Sequence, residues 1–166
     1  MRRSLLLLLL LPALARASDL PMDRATLAGL SGVFVAVANV PHAIKSQVDR
    51  EILKTDIELK LRVLGIKVFN EAAAAGNKVM LYVIINGFTP PDFSPDRMAY
   101  TAVITAEQRV RLVRDSAIET TAATWSTLVG GTGNFAGIRH SIADGVDEFA
   151  NAYLSVNPPR GRTDAK

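Results

Sequence analysis

The chain has 166 residues, of which 49% are hydrophobic, 21% charged and 6% aromatic, and it contains no cysteine. This composition is typical of one globular domain. Without cysteine the chain cannot form a disulfide scaffold, a thiolate zinc site or an iron–sulfur cluster, and it has no cysteine nucleophile or lipidated cysteine. No motif of high specificity remains. The sequence therefore says more about where the protein is located and how it folds than about what it binds or which reaction it catalyses.

The N-terminus has the three parts of a secretory signal peptide. Arg2 and Arg3 form a basic start, Leu5 to Leu11 is an unbroken apolar run, and Ala15-Arg16-Ala17 is a small-x-small cleavage pattern. The leucine run spans only about 11 Å of helix, against a hydrocarbon core of about 30 Å. We therefore predict that residues 1–17 are removed near Ala17, that no transmembrane segment remains, and that the protein is periplasmic or secreted.

Removal of the signal peptide also changes the charge. The whole chain has 19 basic and 16 acidic residues, and without Arg2, Arg3 and Arg16 both counts are 16. The mature protein is then neutral, so its net charge gives no reason to expect binding to nucleic acid. Of the mature chain, residues 18–30 read as an N-terminal arm, 31–157 as a single domain and 158–166 as a disordered tail.

The domain begins with a predicted strand and helix. Val33 to Val40 is apolar on both faces, which indicates a buried strand. The stretch from His42 to Leu64 has no glycine or proline and predicts one amphipathic helix, which ends at Gly65. Its apolar face is expected to be broad enough to cover a sheet. That face includes Ile44, Val48, Ile52, Leu53, Ile57, Leu59, Leu61 and Leu64.

Two further strands follow. Ile66 to Phe69 predicts a short strand, Ala72 to Asn77 a loop, and Val79 to Phe88 a longer strand. The longer strand carries apolar side chains on both sides, so both sides are expected to be covered. One side has Val79, Leu81, Val83 and Ile85, and the other has Met80, Tyr82 and Ile84.

The second half of the domain predicts a hairpin and a helix. Residues alternate between apolar and polar from Tyr100 to Arg114, which is typical of an antiparallel strand with one solvated face. Asp115 and Ser116 are expected to form the turn, and Ile118 to Val129 the returning strand. Gly130 to Asn134 is expected to break that strand. Asn134 can cap a helix from about Phe135 to Leu154.

This order, β-α-β-β-β-β-α, predicts an α+β fold. We expect a mostly antiparallel sheet of four or five strands with two amphipathic helices packed on one face. The other face would remain partly in water, available to a partner or to a second copy of the chain.

Three arginines on the predicted hairpin form the only local basic stripe that we single out. Arg109, Arg111 and Arg114 could bind an acidic partner, such as the phosphates of lipid A. Glu119 and other acidic residues lie close to them, however, which favours an ordinary solvated strand face. Trp125 is similarly either a ligand platform or, more commonly for a lone tryptophan, part of the core.

The glycines after Trp125 resemble a phosphate-binding loop only superficially. Gly131-x-Gly133-x-x-Ala136 matches the relaxed dinucleotide fingerprint, but the strand before it is polar and no βαβ unit follows. We interpret Gly131, Gly133 and Asn134 as a flexible connection between strand and helix, with binding of a generic anion left open. No nucleotide cofactor is predicted.

Histidine chemistry is equally sparse. His140 and Asp144 share a helix face and Ser141 is adjacent, but no nucleophile elbow is present and a solvated surface pair is the simpler interpretation. With two histidines and no cysteine, no metal site is predicted. No catalytic residue is predicted either.

The chain resembles small exported bacterial α+β envelope proteins. The resemblance lies in the export signal, in Leu53 to Arg62 with Gly65-Ile66-Lys67-Val68, and in the ending Val146 to Leu154 with Asn157-Pro158. Such proteins include the N-terminal domain of the periplasmic protein TolB and the lipopolysaccharide-assembly lipoprotein LptE. The resemblance implies an accessory, partner-binding role. It gives no functional residue, and no lipobox cysteine follows the signal.

These observations favour a non-enzymatic exported domain that binds another envelope component, protein or lipid, or itself as a homo-oligomer, through an exposed sheet face or edge. The alternative is a binder of a small apolar or anionic ligand between sheet and helices, near Trp125 and the Gly130 to Asn134 segment. A carboxylate-dependent hydrolase is a lesser alternative.

Overall fold

A computed structural model of the chain describes residues 20–71 and 79–158. The predicted signal peptide, the predicted loop from Ala72 to Asn77 and nearly all of the predicted tail lie outside these residues. The described elements are α1 (Pro21–Ala25), β1 (Val33–Val37), a 3₁₀ turn (His42–Ile44), α2 (Arg50–Val63), β2 (Val68–Phe69), β3 (Val79–Phe88), β4 (Met98–Leu112), β5 (Asp115–Gly133) and α3 (Phe135–Val156).

The strands form one sheet in the order β2-β1-β3-β4-β5, which confirms the predicted α+β fold. The sheet is mixed rather than purely antiparallel. β1 lies parallel to both β2 and β3, while β4 lies antiparallel to β3 and β5. The parallel part follows from the connection between β1 and β2, because helix α2 returns the chain to the end of the sheet from which β1 starts.

Both long helices pack on the same face of the sheet, which we call the covered face. α3 lies directly on β4 and β5, where the ring of Trp125 meets the ring of Phe149 edge to face at 5.4 Å. α2 lies beside α3, and Arg139 binds Asp56 across the two helices through Nε and Oδ2 at 2.6 Å. The placement of both helices on one face is as predicted.

Helix α2 is shorter than the predicted helix, which began at His42. A 3₁₀ turn ends at Ile44, and α2 begins only at Arg50. The side chain of Asp49 caps the new start, because its Oδ1 accepts hydrogen bonds from the backbone N–H groups of Glu51 and Ile52 at 2.9 and 3.1 Å.

The predicted apolar face of this helix divides in two. Leu53, Ile57 and Leu61 are buried against the sheet and α3, whereas Ile52 and Leu59 point outward and are 42% and 59% exposed. The face of α2 with Leu53, Ile57 and Leu61 therefore covers the sheet, whereas the stripe with Ile52 and Leu59 faces the solvent.

The segment before β1 is part of the folded domain rather than a loose arm. Leu27 is fully buried. Asn157 at the end of α3 holds the segment with its amide, since Nδ2 donates to the Leu27 carbonyl and Oδ1 accepts from Gly29 N–H, each at 2.8 Å. The Tyr153 hydroxyl donates to the Leu30 carbonyl at 2.7 Å. These bonds attach the chain before β1 to the end of α3.

Strand β5 is longer than predicted at both ends. The turn of the hairpin is Val113-Arg114 rather than Asp115-Ser116, and the strand continues through the glycine segment to Gly133 instead of breaking at Gly130. The glycine at position 130 is suited to its place in the ladder. A Cβ there would lie 2.8 Å from the backbone oxygen of Tyr100.

Within the described ranges, none of the helices is both long and apolar enough to span a membrane.

Burial raises the pKa of the Tyr153 hydroxyl above its ordinary value of 10.0. The folded state then holds this proton more tightly than the unfolded state, so its contribution to stability is complete below about pH 10 and is lost as the pH rises further. We expect Tyr153→Phe to lose about 1 kcal/mol at neutral pH with the hydrogen bond. We also expect a shallower fall in the free energy of unfolding above about pH 10.

Urea unfolding at a series of pH values measures both effects. Tyr82→Phe, which leaves the Leu30 contact intact, is the matched control. A Tyr153→Phe variant with the wild-type alkaline slope would contradict this account.

Candidate functional site

The face of the sheet opposite the helices, which we call the open face, is apolar at its centre. Neighbouring strands bring its side chains into rows: Ile84, Val103 and Leu128 form one row, and Phe34 pairs with Met80 in another. The described helices all lie on the covered face, so these side chains remain half-buried or exposed. The apolar members are Phe34, Phe69, Met80, Tyr82, Ile84, Val103 and Leu128.

One charged residue lies within this face, since Glu107 pairs with Met80, and two lysines lie at its margins. Lys54 Nζ lies 5.8 Å from the centre of the Phe34 ring, and Lys67 Nζ lies 4.8 Å from that of Phe69. Such contacts place the ammonium groups at the margin while their stems cover part of the ring surface. The open face thus has an apolar centre and a polar rim, as protein interfaces do.

Strands β4 and β5 extend beyond the rest of the sheet as a two-stranded arm, residues 109–121. The last residue of β4 that pairs with β3 is Gln108, opposite Val79. Beyond it every side chain of the arm is exposed or half-buried, and Val113 at the turn is fully exposed. Val110 and Leu112 are at positions that the alternating pattern predicts to face the core, but they are only half-buried, because no other described strand or helix reaches them.

The predicted arginine stripe lies on this arm. Arg109 and Arg111 project on the same side as the open face, and Arg114 is exposed at the turn. Glu119 on β5 pairs with both strand arginines, at 2.8 Å from Arg111 and 3.7 Å from Arg109. The side chains of Arg109 and Arg111 are 82% and 69% exposed, so these are solvated pairs of small energetic value.

Trp125 lies in the core and does not form a ligand platform. It is 2% exposed and packs on Phe149 beneath α3. Beside it, the Thr127 hydroxyl donates to Glu148 Oε2 at 2.6 Å and so links this strand to the helix. The Trp125 ring is thus occupied by contacts within the protein.

The glycines and Asn134 end β5 and start α3. Gly131 and Gly133 pair with Tyr100 and Met98 in the β4–β5 ladder. Asn134 caps α3 as predicted, since its Oδ1 accepts from the Gly137 N–H at 3.1 Å. This segment is an ordered strand end rather than the expected flexible connection.

A cleft of about 720 Å³ lies at the end of the sheet where β1 ends and α2 begins. Its walls include Asn39, Lys45, Arg50, Glu51 and Phe135. Arg50 is already engaged, because it donates to Glu51 at 2.8 Å and to Asn39 at 3.1 Å. The volume is in the range of small-molecule sites.

The histidine pair is on the surface. His140 Nε2 lies 3.7 Å from Asp144 Oδ2, and both side chains are mostly exposed. Ser141 instead shares a hydrogen bond with the hydroxyl of Tyr100, at 2.7 Å. Across residues 20–71 and 79–158, no group of three or more acidic or histidine side chains is placed to hold a metal ion.

The structure thus separates the residues singled out from the sequence. The arginines lie on the arm, Trp125 is in the core, and Gly131, Gly133 and Asn134 lie at the far end of β5. The face opposite the helices was expected to be available to a partner, but its apolar side chains were not among the residues singled out from the sequence. Their signal was present, since Met80, Tyr82 and Ile84 are apolar on the side of β3 that the described helices do not cover.

No protein-family model matches this sequence, and comparison with curated proteins finds no match either.

Trp125 in the core and the arginines on the arm are expected to contribute very differently to the stability of the fold. We expect Trp125→Ala to destabilise the protein by about 3–5 kcal/mol, because it removes a buried ring from the core. Arg111→Ala, by contrast, should change the free energy of unfolding by no more than about 0.5 kcal/mol, because its pair with Glu119 is exposed. Urea denaturation followed by circular dichroism measures both, and a loss at Arg111 as large as that at Trp125 would show that the arm supports the fold.

Proposed function

We propose that the protein is an exported, non-catalytic binding domain whose partner is another protein, bound along the open face and the adjoining edge strand β5. One observation carries this proposal. β3 is apolar on both sides, yet the described helices cover only the side of Val79, Leu81, Val83 and Ile85.

The apolar side chains of the open face are unusual for a surface that only meets water. Sheets with one solvated face normally carry polar residues there, alternating with the apolar ones. Here the central row is Ile84, Val103 and Leu128. Tyr82 and Met80 continue the apolar surface on β3, where their partners on β4 are the polar Thr105 and Glu107. A contiguous apolar patch with a polar rim marks an interaction surface.

The chemistry of this surface favours a strand-forming protein segment over a lipid headgroup. The hairpin carries three arginines and three acidic residues, so it offers no net positive cluster to phosphate groups. These residues are Arg109, Arg111 and Arg114 with Glu107, Asp115 and Glu119. β5 instead offers an edge from Trp125 to Gly133 with no further described strand beside it, along which an extended segment can add. Alternate side chains of that segment would lie on the open face beside Leu128.

Site-specific photo-crosslinking tests this proposal. A photoreactive amino acid is introduced at Ile84 or Leu128 in the full chain, expressed in a bacterium that exports it, and irradiated in intact cells. We expect a discrete crosslinked protein band from Leu128 on the edge strand and none from Thr55, an exposed control position on α2. A partner that also covers the centre of the open face gives a band from Ile84 as well.

The size of the crosslinked product identifies the class of partner. A product of twice the monomer mass indicates a second copy, and another mass indicates a different protein. Identical labelling from Thr55, or no product from Ile84 and Leu128 in a folded and exported protein, would refute the proposal.

The cleft at the start of α2 is a second candidate, for a small ligand rather than a protein. Its volume of about 720 Å³ and the exposed Lys45 in its wall favour this alternative. It differs from the ligand site expected from the sequence, which was placed near Trp125. Failure of the crosslinking experiment would make this cleft the leading candidate.

A further inference from the structure

The two edges of the sheet are very different. At one edge β2 is two residues long, and Lys67 beside it lies over the ring of Phe69. At the other edge β5 is 19 residues long, and among the described strands it has a neighbour on one side only. Proteins commonly protect sheet edges by short strands, charged side chains or proline. The first edge has such protection.

The β5 edge has such features only near Thr124, where the ladder contains a β-bulge and the Thr26 hydroxyl donates to the Thr124 carbonyl at 3.2 Å. From Trp125 to Gly133 the strand contains neither a charged residue nor a proline. Its charged residues, Asp115 and Glu119, are confined to the arm. An added strand would therefore meet an uninterrupted run of uncharged residues along the body of the sheet.

We infer that β5 pairs with β5 of a second copy of the chain, antiparallel about a two-fold axis that passes at Val129. This inference rests on the proposed function and names the partner of its edge strand, β5; Ile84, two strands away from that edge, would not contact the second copy. The pairing would join two five-stranded sheets into one continuous sheet, with the two open faces side by side.

The side chains of β5 are complementary to each other in this register. With the axis at Val129, the numbers of two facing residues add to twice 129. Leu128 of one copy therefore lies opposite Gly130 of the other. In the same way Thr127 lies opposite Gly131, and Trp125 opposite Gly133. Each glycine of the strand end thus meets a residue that has a side chain, and no glycine faces another glycine.

The central residues gain most from this pairing. Leu128 is 51% exposed and points to the open face, where the opposing glycine leaves space for it. At the axis two Val129 residues face each other, a β-branched pair that favours strand association. Glu119 would lie beyond the end of the facing strand, so like charges are not placed opposite each other.

A charge-swap experiment tests the register as well as the association. In an antiparallel pair the two Leu128 side chains are diagonal neighbours on one face, about 7–8 Å apart. Leu128→Lys alone and Leu128→Glu alone should each weaken dimerisation at least tenfold, which corresponds to about 1.4 kcal/mol. Mixing the two variants should restore dimers that contain one chain of each.

The measurement is sedimentation velocity over a range of concentrations of the purified protein, with circular dichroism to confirm folding. Asn86→Lys and Asn86→Glu are the matched controls, because Asn86 is exposed on the same face but lies on β3, away from the edge. These controls should dimerise as the wild type does.

Several results would overturn the inference: a wild-type protein that stays monomeric at all concentrations, Leu128 variants that dimerise normally, or a mixture that fails to recover. A monomeric wild type that still yields a crosslinked product of another mass from Leu128 would refute the second copy as partner and leave the proposed function standing.

Discussion

The close approach of helix α3 to the hairpin β4–β5 determines which face of the sheet is covered. Gly145 lies where a Cβ would come within 2.7 Å of Ile104 Cδ1 and 3.2 Å of Val129 Cγ1. The absent side chain lets the helix backbone lie low on the sheet, where Phe149 reaches Trp125. α2 is then positioned against α3 by the Arg139–Asp56 and Lys60–Asp147 pairs. Both long helices therefore pack on the covered face, and no described helix packs on the open face.

The uneven covering of a sheet built from two-sided apolar strands is the main feature of this protein. β1 and β3 lie in the middle of the sheet, and their composition is typical of strands that are buried on both faces. Val33 and Leu81 are fully buried on the covered face, whereas Phe34 and Tyr82 on the open face are only half-buried. The composition of the strands therefore anticipates a second layer that the described helices do not supply.

Much of the fold could be predicted from the sequence because its signals are local. The apolar pattern of β3 predicted both of its ends correctly, Val79 and Phe88, and Asn134 predicted the start of α3. The start of α2 was predicted wrongly because a local cap was overlooked. Asp49 caps α2 with its own side chain and ends the helical run that composition alone suggested.

Other features depended on tertiary contacts. The glycines of β5 look like a strand break, yet they remain in the ladder because Tyr100 and Thr101 of β4 pair with them. The candidate site was harder still to predict. An open face becomes visible only once the positions of both helices are known, and no single residue of it has distinctive chemistry.

The strand order also has a consequence for how the chain folds. β3, β4, β5 and α3 follow one another in sequence and contact one another in space, so each new contact closes only a short loop. β1, by contrast, must pair with β3 across the whole of α2 and β2, and closing this longer loop costs more chain entropy. Contacts between sequence neighbours form faster than distant ones. The topology thus favours a C-terminal nucleus, onto which β1, α2 and β2 dock afterwards to complete the sheet.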